Sequence, residues 1–191
     1  MLKFTPENSI PPARGKVLLA EPFMEDPYFK RTVVLLCEHN EEGSFGFVLN
    51  NYVDVEINRI MDEIPPFETR ISIGGPVKNS NLYYIHSLGH KLPDSIEVAK
   101  GIYVGGDFAL LKEMLNRGEV EFDQLRFFVG YSGWSPKQLE EELERKSWFV
   151  TDADPELLMD VHETDLWGAI IRTMGKEFEH LAQLPRDPSL N

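Results

Sequence analysis

The chain has 191 residues, a formal net charge of −13 and one cysteine, Cys37. That length fits a single domain able to bury a core without disulfides, one cysteine excludes an intrachain disulfide framework, and so acidic a chain repels phosphate backbones and disfavours nonspecific nucleic-acid binding. No apolar run approaches the ~18–20 residues of a membrane span and the N-terminus lacks an apolar signal core, so a soluble cytoplasmic protein with no membrane partner is expected.

Residues 1–14 contain three prolines and no periodicity, and read as an extended lead-in. Residues 16–20 form a short apolar strand that Glu21-Pro22 ends. Residues 32–38, Thr-Val-Val-Leu-Leu-Cys-Glu, are apolar and β-branched, the pattern of a strand covered on both faces. His39-Asn40-Glu41-Glu42-Gly43 turns that strand into a hairpin with residues 45–49. Gly46 in the return strand marks a bulge or a close backbone approach. Residues 55–64 place apolar side chains at 57, 60, 61 and 64, helical spacing with Asp54 as N-cap and Pro65-Pro66 as the stop. Strands follow at 70–73, running into Gly74-Gly75-Pro76-Val77, and at 82–86. Two more, at 97–98 and 102–104, turn near Lys100-Gly101.

Asp107 caps a helix over 108–116, with Leu111, Met114 and Leu115 toward the core and Gly118 past its end. Residues 125–129 read as a strand, and Gly130-Tyr131-Ser132-Gly133-Trp134 as a glycine and aromatic corner. Ser135, Pro136 and Gln138 supply the cap, first position and box residue of the next helix. In that helix Leu139 and Leu143 form a thin apolar stripe. Its charged residues form a solvated face, with favourable pairs Glu141–Arg145 and Glu142–Lys146. A strand at 148–150 and a helix opened by Asp154-Pro155 come next. Thr164 can cap a last clear helix carrying Leu166, Trp167, Ile170, Ile171 and Met174, with Gly175 at its end. Residues 176–191 read as a tail with one more possible helical turn. Mixed helices and early hairpins, without repeats or linkers, argue an α+β fold in one domain.

Several stretches invite a chemical reading, and each has a plainer one. Ser132 sits between a strand and a helix, but a nucleophile elbow needs glycine where Trp134 stands. His162-Glu163 begins like a zinc-protease motif, yet Leu166 occupies the place of the second histidine. Glu38 and His39, with Glu41 and Glu42, could hold a divalent cation, though a loose acidic hairpin loop is the commoner case. His86 could serve as an acid or base or be a hydrogen-bonded structural residue, and Cys37 reads as an inert core thiol. Neither a dinucleotide fingerprint nor a phosphate loop is present, and no cofactor is implied.

The motifs taken in order are Gly15-Lys-Val-Leu-Leu-Ala-Glu-Pro22, Phe29-Lys-Arg-Thr-Val-Val34, Glu38-His39, Gly46-Phe-Val-Leu-Asn50, Gly74-Gly-Pro-Val77, His86, Gly130-Tyr-Ser-Gly-Trp134, Gln138-Leu-Glu-Glu-Glu142 and Trp148. Over residues 15–175 this series resembles the bacterial AlgH-like (YqgE-like) family, with Phe47 and Ser132 at positions that vary in the family pattern. The resemblance implies a single α+β domain with a coiled, mostly antiparallel mixed sheet, partly bifurcated and flanked by helices. It supplies no catalytic residues. The family's name comes from a proposed role in regulating alginate synthesis, sometimes described as transcriptional. Three functions are therefore weighed. The first is a non-enzymatic regulatory or adaptor protein binding a protein or small ligand. The second is an enzyme whose pocket gathers Glu38, His39, Asn50, Gly75, His86, Tyr131 and Trp134. The third is a transcriptional regulator, which the acidic charge and the lack of a helix-turn-helix signal disfavour.

Overall fold

The computed structural model describes residues 7, 8 and 10–185. The rest of the expected lead-in and the end of the expected tail lie outside the described residues. In chain order the strands are β1 (Val17–Ala20), β2 (Val33–Asn40), β3 (Gly43–Val48), β4 (Tyr52–Val53), β5 (Ile71–Ile73), β6 (Val77–His86), β7 (Ile96–Ala99), β8 (Ile102–Val104), β9 (Leu125–Trp134) and β10 (Trp148–Thr151). The helices are α1 (Ile57–Ile60), α2 (Phe108–Asn116), α3 (Gln138–Glu144), α4 (Pro155–Met159), α5 (Leu166–Thr173) and α6 (Lys176–Glu179). The strands join in the order β10-β1-β2-β3-β9-β6-β8-β7, with β4 and β5 attached beside β9. Every pairing is antiparallel except that of β5 with β9. This is the mixed, mostly antiparallel α+β sheet that the sequence led us to expect.

The sheet forks at β9. One edge of β9 pairs with β6 along most of its length. The other edge is shared, with β5 taking Phe127 to Val129 and β3 taking Ser132 to Trp134. The handover occurs at Gly74, whose N–H donates to Val129 and whose carbonyl accepts from Val48 N–H and the Ser132 hydroxyl. A Cβ on Gly74 would sit 2.4 Å from the Gly130 carbonyl oxygen, so a side chain there would force the fork apart. Gly130 has φ of +73°, a left-handed conformation that bends β9 without ending it. The glycine and aromatic stretch is therefore not a corner between strand and helix. It is the second half of a strand, kept extended by its ladder to β3.

Local signals held where the sheet or core supported them. The β2–β3 hairpin turns at Glu41-Glu42, and the register shifts beside Cys37, opposite Gly46. A Cβ on Gly46 would lie 2.3 Å from the Leu35 carbonyl oxygen, so the close-approach reading of this glycine is met. Asp107 caps α2, accepting from Leu110 N–H at 3.0 Å, and Leu111, Met114 and Leu115 are buried. The helix expected over 55–64 shrinks to the single turn of α1, and Asp54 does not cap it. Ile57 and Ile64 are buried in a core and Met61 packs partly against it, whereas Ile60 is 41% exposed. An amphipathic stripe without a facing surface cannot offset the cost of a longer helix.

Two caps also shift. Before α3, Lys137 adopts a left-handed turn and the helix begins at Gln138, whose Oε1 accepts from Ser135 N–H. Before α5 the cap is Asp165, not Thr164, and it accepts from Gly168 N–H at 3.1 Å. A β-carbon at Gly168 would collide with that carboxylate.

Three apolar clusters fill the fold. The largest lies between one face of the sheet and α4, α5 and α6, and includes Phe47, Phe128, Trp167, Phe178 and Leu181. Residues beyond Gly175 thus contribute core side chains. The second cluster packs α1 and α2 against Ile71, Leu125 and Phe127. The third sits between α3 and Leu18, Val34, Val48, Trp134 and Trp148. Both faces of the central strands are thereby covered, and the free edge of β10 is clasped by Asn8, whose amide bonds both the N–H and the carbonyl of Val150.

Candidate functional site

The pocket residues nominated by sequence do not come together. Tyr131 and Trp134 are three apart on one strand, so their side chains leave on opposite faces. Tyr131 packs against Phe45 and Tyr83, at ring separations of 5.2 and 5.8 Å. Trp134 packs with Phe29 and Trp148 on the other side. Gly75 presses its backbone on Tyr131, where a Cβ would lie 2.2 Å from the carbonyl oxygen. Glu38 is exposed and accepts from the Asn40 amide. His39 meets the Ser44 hydroxyl at 2.7 Å and approaches Glu140 at 3.7 Å.

His86 lies beside the first residue of β9 and His39 beside the residue that pairs with its last, roughly 25–30 Å apart along the strand. His86 is fully buried. Leu88 N–H donates to its Nδ1, so its proton sits on Nε2, which donates to the Gly105 carbonyl at 2.9 Å and meets Ser95. Burial lowers its pKa below the ordinary 6.5, which the bond to Gly105 partly opposes. It is held neutral as a structural ring. Ser132, also buried, donates to Gly74 at the fork. Cys37 is buried and its thiol is pushed up to about 12 by desolvation. Among the described residues, no three His, Cys, Asp or Glu side chains cluster closely enough to hold a metal ion.

Asn50 does line a cleft. Its amide accepts from Val33 N–H and donates to the Arg31 carbonyl, tying the start of β2 to the chain after β3. The cleft has a volume of about 650 Å³, and its walls include Tyr28, Lys30, Arg31, Asn51, Tyr52, Arg70 and Trp167. The register explains its chemistry. Tyr52 faces Ser72 across β4–β5, and Ser72 faces Phe128 across β5–β9. Alternation then puts Tyr52, Arg70, Ser72, Arg126 and Phe128 on one sheet face, while Ile71 and Phe127 point into the second cluster.

Arg126 lies directly behind the cleft and is fully buried. One terminal nitrogen donates to the Leu158 carbonyl at 2.6 Å; the other reaches the Leu49 carbonyl, the Tyr52 hydroxyl at 3.4 Å and the Ser72 hydroxyl at 3.5 Å. Its Nε has no acceptor among the described residues. Burial lowers the guanidinium pKa below its ordinary value. The Tyr52 hydroxyl opposes that shift and the charge of Arg70 adds to it. Arg70 lies over the Tyr52 ring at 4.3 Å and Arg126 near it at 5.6 Å, so one phenol ring attracts two guanidinium groups. The reading from sequence missed all three. The only signal was one arginine in the apolar strand Leu-Arg-Phe-Phe-Val, which alternation alone allows to be a solvent-facing position.

Other charges near the cleft are engaged by the chain itself. Arg31 stacks over Trp167 at 4.6 Å and donates to the Leu184 and Pro185 carbonyls. Glu163 accepts from Asp165 N–H, and Asp165 caps α5 and meets Arg172 at 3.4 Å. A contrasting charge lies under α3. Glu142 was expected on the solvated face, paired with Lys146. Instead one of its oxygens accepts from both indole N–H groups, Trp134 at 3.0 Å and Trp148 at 2.7 Å. The other accepts from the Gln138 amide at 3.0 Å. Glu141 does approach Arg145, at 4.0 Å.

The fork at β9 and the cleft beside it belong to a fold seen before. The AlgH-like family matches residues 17–179. This chain belongs to the AlgH-like family. A UPF0301 protein of Cytophaga hutchinsonii is 41% identical, over 93% of this chain and 98% of its own length. Another, from Parabacteroides distasonis, is 39% identical, over 96% and 94%. Among solved structures, protein DIP2367 of Corynebacterium diphtheriae superposes with a TM-score of 0.79 at 27% identity, covering 93% of this chain and 95% of that one. The solution structure of AlgH from Pseudomonas aeruginosa does so with a TM-score of 0.71 at 26% identity, covering 94% and 98%. Family membership thus rests on nearly the whole chain. Among the described residues no helix is long and apolar enough to cross a membrane.

Proposed function

We propose that this AlgH-like protein is a non-enzymatic regulatory or adaptor protein of the cytoplasm, and that it works by binding a small ligand in the cleft beside Tyr52. The observation that carries the reading is where polar groups are left over. The side chains that could act as nucleophile or base, Ser132, His86 and Cys37, are buried in structural roles. The cleft wall, by contrast, carries Lys30 and Arg70, neither in an ion pair among the described residues, and Arg126 behind Tyr52 keeps one N–H without an acceptor there. Unmatched polar groups at an open cleft are where ligands find specific contacts. A regulator of this kind would report ligand occupancy to a protein partner rather than transform the ligand. Direct duplex binding fits poorly with a chain of net charge −13.

The reading is tested by titrating the labelled protein with a broad panel of neutral and charged metabolites, following the Tyr52, Arg70 and Trp167 resonances. Saturable shifts confined to those residues, with the ligand recovered unchanged, are expected. Turnover of a ligand, or a panel that leaves the three residues unmoved, overturns it.

A further inference from the structure

We infer that the cleft is an oxyanion site, taking a small molecule by a phosphate or carboxylate group that Arg70 and Lys30 contact and that points toward Tyr52; this rests on the small-ligand reading above. Charge is the first observation. A chain of net charge −13 places Lys30 and Arg70 on the wall of one cleft, with Arg126 behind the wall residue Tyr52. Like charges gather in that way at a cost unless something negative joins them.

The second observation is that Lys30, Arg70 and Arg126 lack a close acidic partner among the described residues, although the charge of Asp160 acts on Arg126 from beyond ion-pair distance. Neither Arg70 nor Arg126 forms an ion pair with a carboxylate among the described residues, and neither does Lys30. The nearest acids on the cleft wall, Glu163 and Asp165, serve the start of α5. Arg70 and Arg126 share the ring of Tyr52, whose hydroxyl Arg126 also reaches. A phenol ring gives a cation far less than an anion does.

The third observation is the orphan. Arg126 is fully buried, yet its Nε lacks an acceptor among the described residues, as do Arg31 Nε and Asn58 Oδ1 a partner, and native structures leave few buried polar groups in that state. A purely structural arginine would be expected to look like Glu142, where every oxygen has donors. The half-exposed Arg70 fork is suited to a two-oxygen acceptor, and the exposed Tyr28 ring on the same wall offers a flat surface to the rest of the molecule. A polyanion such as nucleic acid is not the fit, because Glu56 and Glu68 lie along the neighbouring cleft that shares Tyr52 and Arg70.

The test uses four probes, inorganic phosphate, succinate, adenosine monophosphate and adenosine, titrated by calorimetry and by the Tyr52, Arg70 and Trp167 resonances. Three variants join the wild type: Arg70→Gln, Lys30→Gln and, far from the cleft on the turn after α3, Arg145→Gln. At least one charged probe is expected to bind at the cleft more tightly than adenosine. Its affinity should fall about tenfold or more in Arg70→Gln, the value of one charge-assisted hydrogen bond. It should fall less in Lys30→Gln, stay unchanged in Arg145→Gln, and weaken as salt is raised. Which of phosphate and succinate competes identifies the source of the oxyanion. Adenosine binding as tightly as its monophosphate, or Arg70→Gln binding like wild type, overturns the oxyanion inference and leaves the small-ligand reading standing. If no charged probe moves the cleft resonances at millimolar concentration, the inference fails. The broader panel then decides whether the small-ligand reading fails with it.

Discussion

Two of the charges that lie against aromatic rings in this molecule, Glu142 and Arg126, are treated in opposite ways. Glu142 sits under α3 with two indole N–H groups on one oxygen and an amide on the other. Arg126 sits under the cleft with carbonyls and hydroxyls on its terminal nitrogens, none on its Nε, and a second guanidinium across the same tyrosine. The first arrangement is closed: the carboxylate locks Trp134 and Trp148 at the end of β9 and the start of β10. The second leaves one buried donor without an acceptor among the described residues. A charge whose partners are complete holds a fold together, whereas one whose partners are incomplete is available to something else.

The contrast breaks most severely at Arg126. Truncation by Arg126→Ala leaves a cavity and strips donors from buried carbonyls, and should cost about 3–5 kcal/mol in urea unfolding. Arg126→Met, similar in volume and uncharged, should recover most of that loss, because a buried charge is costly to desolvate. If Met proves as damaging as Ala, the guanidinium is as complete a structural tie as Glu142, and the contrast disappears. Trp134→Ala should cost a similar ~3–5 kcal/mol by emptying the third cluster, and a thermal shift near zero would contradict its burial.

Glu142→Ala should cost less, about 1–3 kcal/mol, by leaving the indole N–H groups without their acceptor. Glu142→Gln keeps an acceptor oxygen and should lose only part of that. A Gln variant as unstable as Ala would show that the charge, and not the hydrogen bonds, holds the indoles. Smaller still is the response to pH at His86. Its folded pKa lies below the ordinary 6.5, so the unfolded chain takes up the proton first. Stability should be fully present above pH 6.5 and decline as pH falls through that value. Urea midpoints between pH 7.5 and 5.5 should show this slope, and it should flatten in His86→Asn. The weakest signal is the thiol of Cys37. Raised to about 12, it should resist alkylation at pH 8 until the protein unfolds. Rapid labelling of the native protein would mean that β2 opens readily.

What could be read in the chain was local. The β2–β3 hairpin, the Asp107 cap of α2 and the Asp154-Pro155 start of α4 each depend on residues a few positions apart, and each formed as expected. The helix over 55–64 was legible in spacing but not in length, because its apolar stripe needed a surface that Ile57 and Ile64 reach fully, Met61 in part and Ile60 not. The candidate site was the least legible part. Residues chosen for their chemistry, such as His39 and His86, turned out to sit at opposite ends of β9.

The sequence by itself determined the class of fold, the order of its strands and helices apart from β4 and, through a long series of short motifs, the family. These are written in periodicity, turn residues and caps, which act over a few residues. Only the tertiary structure decided which charges are satisfied. The carbonyls that meet Arg126 come from residues 32 and 77 positions away, and the ring it shares with Arg70 from β4. Whether a guanidinium is buried, and what it still lacks, depends on contacts that exist only after the sheet has forked and the helices have closed over it.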